Sequence, residues 1–281
     1  MQSKFRRVIQ TVSAVLCNSF VLGFRKGTIF QGKTKMACVP VLNCYSCPGA
    51  VGACPIGSLQ AVLGDRNHKF SFYVLGTIML FGILFGRMIC GLLCPFGFIQ
   101  DLLYKIKVPK WTVPSVIDRK LRYLKYGILI GFVIIGPLVF VNAFGMGSPY
   151  FCKLICPAGT LEGGIPLVLS NAALKKTIGS LFFWKVSILT VVILASVFIY
   201  RPFCKYLCPL GAFYALFNRF SFYQLTLDRE KCVGCRACER ACKMNVRLTE
   251  GKDISECIRC GDCRNACPKD AIKIGFGGKL E

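Results

Sequence analysis

The chain has 281 residues, 54% of them hydrophobic, with 19 cysteines, one histidine and a formal net charge of +23. That composition leaves room for a bundle of membrane helices plus one small soluble module. It argues against nucleic-acid binding: residues 1–227 hold 24 Lys/Arg against only Asp65, Asp101, Asp118 and Glu162, so the bases lie between apolar spans, whereas residues 228–281 hold 12 against 9.

Four stretches, 8–24, 70–89, 124–146 and 181–200, are apolar enough to span a bilayer core that needs ~20 residues. The first follows Lys4, Arg6 and Arg7 without an A-x-A-like cleavage site, so it is expected as a retained helix. The N-terminus and the loop 105–125 are the most basic segments, which places both in the cytoplasm, although the loop 25–69 is basic as well. Four spans then return the C-terminus to the cytoplasm, giving a multi-pass protein of the cell (inner) membrane in contact with lipid. No ionisable residue falls near the middle of the three later spans, and Lys185 sits where it can snorkel, which speaks against an ion pump. Asp101 and Glu162 are expected as solvated or interfacial carboxylates. The lone histidine, His68, is expected as an interfacial side chain.

The cysteine loops repeat: Cys54-Pro-Ile-Gly, Cys94-Pro-Phe-Gly, Cys156-Pro-Ala-Gly and Cys208-Pro-Leu-Gly. In the last three a second cysteine precedes by four residues (Cys90, Cys152, Cys204), and in the first the earlier cysteines are Cys44 and Cys47. A short apolar stretch follows each copy, too short to span, as in a re-entrant half-helix whose first turn holds the proline. Cysteines i and i+4 share one face if helical. On this topology Cys90, Cys94, Cys204 and Cys208 lie on the cytoplasmic side, and Cys44, Cys47, Cys152 and Cys156, with Cys54 nearby, on the outer side. Each group has enough thiolates for an iron–sulfur cluster, so one or two clusters are expected in the membrane domain. Arg87, Lys153, Arg201 and Lys205 stand beside these cysteines, where cations would offset thiolate charge. Cys17 and Cys38 read as packing thiols.

Toward the C-terminus the spacing is sharper still. Cys232-x-x-Cys235-x-x-Cys238-x-x-x-Cys242 and Cys257-x-x-Cys260-x-x-Cys263-x-x-x-Cys267-Pro268 form the two-cluster ferredoxin pattern, in which the fourth cysteine of each run serves the other cluster. The implied sets are Cys232, Cys235, Cys238 with Cys267, and Cys257, Cys260, Cys263 with Cys242, for two [4Fe-4S] clusters. Cys242 is followed by Lys243-Met244 and not by proline. Asp270–Ile274 reads as an edge strand. So small a domain draws much of its folding energy from its clusters. Such thiols also call for a reducing or anaerobic setting.

The fold class is therefore mainly α: a four-span membrane helix bundle with re-entrant half-helices over residues 1–222, then a small α+β dicluster ferredoxin domain over 223–281. With neither a nucleotide loop nor a catalytic dyad in the sequence, the reading is an electron carrier. It relays electrons between a cytoplasmic donor and a membrane or extracytoplasmic acceptor through iron–sulfur clusters. The rival readings are a membrane metal-handling or cofactor-assembly protein with a regulatory ferredoxin, since soft thiolates also suit Cu(I) and Zn, and a quinol oxidoreductase subunit with quinone as partner.

The segments Arg-Met-Ile-Cys90-Gly-Leu-Leu-Cys94-Pro and Arg201-Pro-Phe-Cys204-Lys-Tyr-Leu-Cys208-Pro, joined to a dicluster ferredoxin, resemble the membrane ferredoxin-type proteins of the NapH and NosR type, over about residues 70–281. The resemblance implies a four-span protein with both termini inside, passing electrons between the cytoplasm or quinone pool and an extracytoplasmic reductase. The groups at 44–54 and 152–156 are additions to that pattern.

Overall fold

The computed structural model describes residues 3–65, 71–140, 147–251 and 253–277; His68 lies outside them. The chain is mainly helical, with a ferredoxin-like C-terminal region. Among the described residues two helices are long and apolar enough to cross a membrane, Ser115–Val139 and Ser180–Phe198. At 1.5 Å per residue they reach about 38 and 28 Å, against a hydrocarbon core of ~30 Å. The other two expected spans are shorter helices, Ser3–Cys17 and Phe72–Phe85, which reach only about 22 and 21 Å.

Ser3–Cys17 is amphipathic with its faces reversed. Phe5, Val8, Val12, Val15 and Leu16 point outward, 50–64% exposed, while Arg6 and Gln10 are buried. The Gln10 amide donates to Gly91 O at 3.0 Å and to Asp101 at 2.9 Å, and Ser13 donates to Leu93 O at 2.8 Å. A helix that turns polar groups inward and apolar groups outward suits a lipid surround and not water. Phe183, Trp184, Val191 and Leu194 on Ser180–Phe198 are likewise exposed.

The third span starts earlier in the chain than its hydropathy predicts, because Ser115–Arg122 continues into it. Lys125 therefore sits inside a helix and not in a basic loop. It is fully buried and donates to both Glu256 oxygens at 2.6 Å. Further on, the helix loosens into a π segment, Leu129–Ile135.

The cysteine turns meet in the centre. Pro55–Gly64, Pro95–Leu103 and Pro209–Phe217 are short helices with proline at the first position and Cys54, Cys94 and Cys208 as extended N-caps. Cys156 leads similarly into the π turn Gly159–Gly164 and the helix Ile165–Ser170. Phe96 and Phe203 pack edge to face at 5.1 Å between the inner turns, inside one core with Ile89, Val133, Phe151 and Leu210.

In the C-terminal region Tyr223–Leu227 pairs antiparallel with Ile272–Phe276, Leu225 opposite Ile274. The core beneath is small: Leu225, Cys238, Leu248 and Ile272. The region is bolted to the helical part of the chain before it. Arg259 donates to Phe85 O, Asn218 O and Ser221 Oγ, each at 2.7 Å, and Asn218 Nδ2 donates to Ile254 O and Cys257 O at 2.9 Å. Where Lys243-Met244 replaces the usual proline, Arg122 donates to Met244 O at 2.8 Å and Met244 packs in a buried cluster with Tyr200 and Ile258. The departure from the ferredoxin pattern thus falls on the docking face. Pro268, which keeps the pattern, is exposed.

Candidate iron–sulfur sites

Each Cys-Pro-x-Gly turn is built so that its sulfur caps a helix. Proline disfavours α geometry in the residue before it, and here the preceding helical turn stops before the second cysteine. Cys90 lies in Met88–Leu92 and Cys204 in Pro202–Tyr206, but Cys94 and Cys208 are extended. The expectation that cysteines i and i+4 share a helix face is thus corrected: they face one another across a break. The backbone N–H of the glycine three residues on donates to the sulfur at 3.4 Å in two copies, Gly159 to Cys156 and Gly211 to Cys208, and Gly57 and Gly97 hold the same place after Cys54 and Cys94. Free N–H groups at a helix start favour a thiolate. Glycine is also needed for space: a Cβ at Gly97 would meet Cys90 O at 3.1 Å and Arg201 at 3.2 Å, and one at Gly211 would meet Cys204 O at 3.1 Å.

The turns pair off. Cys90, Cys94, Cys204 and Cys208 lie within electrostatic reach of one another. Their arginines cross over: Arg87 donates to Cys204 O at 3.1 Å, and Arg201 to Cys90 O at 2.6 Å. Both guanidinium groups are fully buried and each holds an acid, Arg87 with Glu256 and Arg201 with Asp101 at 2.6–2.7 Å. Asp101, expected as a solvated carboxylate, is only 11% exposed at its side chain and also accepts from Arg6. The sequence could not show this, because its partners come from residues 6 and 201. Lys205 turns away from the sulfurs to Asp118, and Lys153 is exposed.

On the other side a cavity of about 660 Å³ is lined by Cys44, Cys54, Cys152 and Cys156 together with Leu42, Asn43, Gly57 and Gly159. Cys54 lines this cavity and Cys47 does not: the Cys47 thiol donates to Asn18 Oδ1 at 3.3 Å. Cys54 leads into the helix Pro55–Gly64 as the other three copies lead into theirs, whereas Cys47 leads into a turn. Glu162, also expected at an interface, has a buried carboxylate that accepts from Cys44 N at 2.7 Å. Lys185, expected to snorkel, lies beside the Gly159 turn and within electrostatic reach of Cys152. Cys17 and Cys38 pack in or against the core.

In the ferredoxin-like region a second cavity is lined by Cys232, Cys235, Cys238 and Cys267. Cys242, Cys257, Cys260 and Cys263 cluster within electrostatic reach of one another. Burial pushes the Cys257 thiol up to about 12, so a bound metal is needed to make it a thiolate near neutral pH. Among the described residues no three His, Cys, Asp or Glu side chains are close enough to hold a single metal ion. One zinc would need every sulfur ~2.3 Å from one point. The two quartets that line a cavity, Cys44/Cys54/Cys152/Cys156 and Cys232/Cys235/Cys238/Cys267, fit a polynuclear group, and the N–H groups of Gly159 and Gly211 on sulfur suit anionic ligands.

Six places after each proline cysteine stand Gln60, Gln100, Glu162 and Tyr214, of which the sequence pointed only to Glu162. The Gln60 amide donates to Cys152 Sγ at 3.2 Å and the Gln100 amide to Cys204 Sγ at 3.0 Å. Tyr214 donates to Pro40 O at 2.9 Å. Carrying the repeat alignment three residues past its glycine would have found them.

Residues 52–73, 70–114, 129–169 and 181–223 match one family model described as 4Fe-4S binding domain. Residues 225–247 and 251–273 match another of the same description. The chain is 34% identical over 227 residues to an uncharacterized protein of Methanocaldococcus jannaschii, covering 79% of this chain and 83% of the relative. A second uncharacterized protein of that organism is 34% identical over 220 residues, 76% of this chain and 74% of the relative. The regulatory protein NosR of Stutzerimonas stutzeri is 26% identical over 199 residues, 66% of this chain but 25% of NosR. No solved structure matches. With six matched segments that hold every cysteine of these quartets except Cys44, the chain belongs to the 4Fe-4S binding domain family and is an iron–sulfur electron-transfer protein of the NapH/NosR type.

Proposed function

We propose that this protein is a transmembrane electron conduit with four [4Fe-4S] sites in sequence. These are Cys232/Cys235/Cys238/Cys267, Cys242/Cys257/Cys260/Cys263, the inner membrane quartet Cys90/Cys94/Cys204/Cys208 and the outer quartet Cys44/Cys54/Cys152/Cys156. A [4Fe-4S] group supplies one-electron storage at each. The chain's own residues fix the spacing and the surroundings. One electron enters from a cytoplasmic donor at the ferredoxin domain, residues 223–281. One leaves to a membrane or extracytoplasmic acceptor from the outer quartet. The membrane half, residues 1–222, is a four-span bundle with both termini cytoplasmic; of its two shorter helices, Phe72–Phe85 is continued by the cysteine turn at Cys90–Cys94.

The observation that carries this reading is how closely the quartets adjoin. Gly91, next to Cys90, lies against Ile258 O, next to Cys257, so closely that a Cβ there would overlap the carbonyl. On the far side the Leu42 N–H is directed at Cys94 Sγ, while Leu42, Asn43 and Cys44 line the outer cavity. Two residues of extended chain span about 7 Å, a small part of the ~30 Å hydrocarbon core. A path of short hops thus runs from the ferredoxin region to the outer quartet.

The test is the Cys90→Ser/Cys204→Ser double variant, purified anaerobically and compared with the parent by iron count and paramagnetic resonance. Loss of one cluster's iron, with the ferredoxin signals kept, is expected. Retention of every iron atom of the parent removes the inner site and with it the conduit.

A further inference from the structure

Gln60 and Gln100 occupy the same place in two copies of the repeat and do the same thing to a cysteine of the partner copy. Their orientation is fixed by neighbours that can act in only one sense. The Gln60 Nε2 group also faces Ile56 O at 3.2 Å, and its Oε1 accepts from Phe151 N at 3.0 Å. Turning the amide over would set oxygen against oxygen at one end and nitrogen against N–H at the other. Gln100 Nε2 faces Phe96 O at 3.4 Å, again a pure acceptor. The amide N–H is therefore held toward sulfur in both quartets. Both glutamines are buried, at 0% and 1% exposure, so water does not compete for these donors.

The other two copies put nothing equivalent there. Glu162 accepts from a backbone N–H, and Tyr214 donates to a carbonyl. Each quartet thus has one glutamine N–H···S bond, always from the first turn of the pair (Cys54, Cys94) to the leading cysteine of the second (Cys152, Cys204).

We propose that Gln60 and Gln100 set the reduction potentials of the outer and inner membrane clusters by donating an N–H to one ligand sulfur of each. Reduction adds an electron to a cluster that four thiolates already make anionic. A fixed N–H donor stabilises the more negative state more than the less negative one and raises the potential. Both are positioning residues that act through Cys152 and Cys204. The inference rests on the proposed membrane clusters.

The experiment is a redox titration of the full-length protein, purified anaerobically and followed by paramagnetic resonance. Gln100→Met keeps the side-chain length and removes the donor. It is expected to make the inner cluster about tenfold harder to reduce, a fall of about 59 mV for one electron, with the outer cluster unmoved. Gln60→Met is expected to do the reverse. Unchanged potentials with full iron content overturn the inference and leave the clusters in place. Should either variant lose its cluster, the parent labelled with ¹⁵N at the glutamine amide decides: coupling of that nitrogen to the reduced cluster is expected, and its absence overturns the inference. A parent with iron for only two clusters overturns both this inference and the conduit beneath it, a result distinct from the others.

Discussion

The inner and outer quartets come from the same turn, yet they sit in opposite surroundings. Around Cys90 and Cys204 the chain closes two crossed arginines, three acids and the docked ferredoxin region; around Cys54 and Cys152 it leaves a cavity of about 660 Å³. The shared part is local: proline ends a helix, sulfur caps the next one and glycine makes room. The difference is imposed from elsewhere in the chain, by Arg6, Asp118, Lys125 and Glu256 on one side and by Asn18 and Lys185 on the other. A repeat can therefore fix the same local turn four times over while the surrounding charge encloses one pair of turns and leaves a cavity at the other.

That comparison breaks first at the outer quartet. Cys54→Ser is expected to remove one whole cluster's iron and Cys47→Ser to remove none, counted anaerobically side by side; the reverse result would return Cys47 to the ligand set.

At the inner quartet the enclosing charge is the next target. Glu256→Ala leaves Arg87 and Lys125 buried without their carboxylate, a loss of about 3–5 kcal/mol. It should appear as faster hydrogen exchange through 254–259. Burial pushes the Glu256 carboxyl up, but Arg87 and Lys125 outweigh it and hold the group down at about 2. The folded value lies below the unfolded one, so this stabilisation is full above about pH 5 and is lost as pH falls toward 2. Glu256→Gln should flatten the pH dependence of exchange in that window.

Steric contact is a weaker lever. Gly91→Val drives a side chain into the Ile258 carbonyl and should cost about 1–3 kcal/mol of docking, slowing electron transfer into the inner cluster at unchanged iron content. Gly76→Val, where nothing lies within 4 Å, should leave transfer rates as they are. The smallest effect is expected at Tyr214→Phe, which gives up the bond to Pro40 O for about 0.5–1.5 kcal/mol, read as a shift in thermal midpoint with both membrane clusters retained.

Spacing along the chain was enough to identify the ferredoxin cysteines, the four Cys-Pro-x-Gly turns and the helical character of the whole, because each is a matter of neighbours within about ten residues. A proline after an extended cysteine, as at positions 95 and 209, suits the first turn of a helix by local geometry. Pairing lay beyond the sequence. Whether Cys47 or Cys54 completes the outer quartet depends on which thiol the fold turns toward Cys152, 98 or more residues away. Asp101 and Glu162 looked like surface carboxylates because their partners are remote in sequence. Lys125 looked like a loop base because its acid, Glu256, belongs to the other region. The lengths of the first two helices, and the reversed faces of Ser3–Cys17, also had to come from the structure. An apolar run shows that a segment leaves water; packing against the cysteine turns decides how much of it is helix and which face meets lipid.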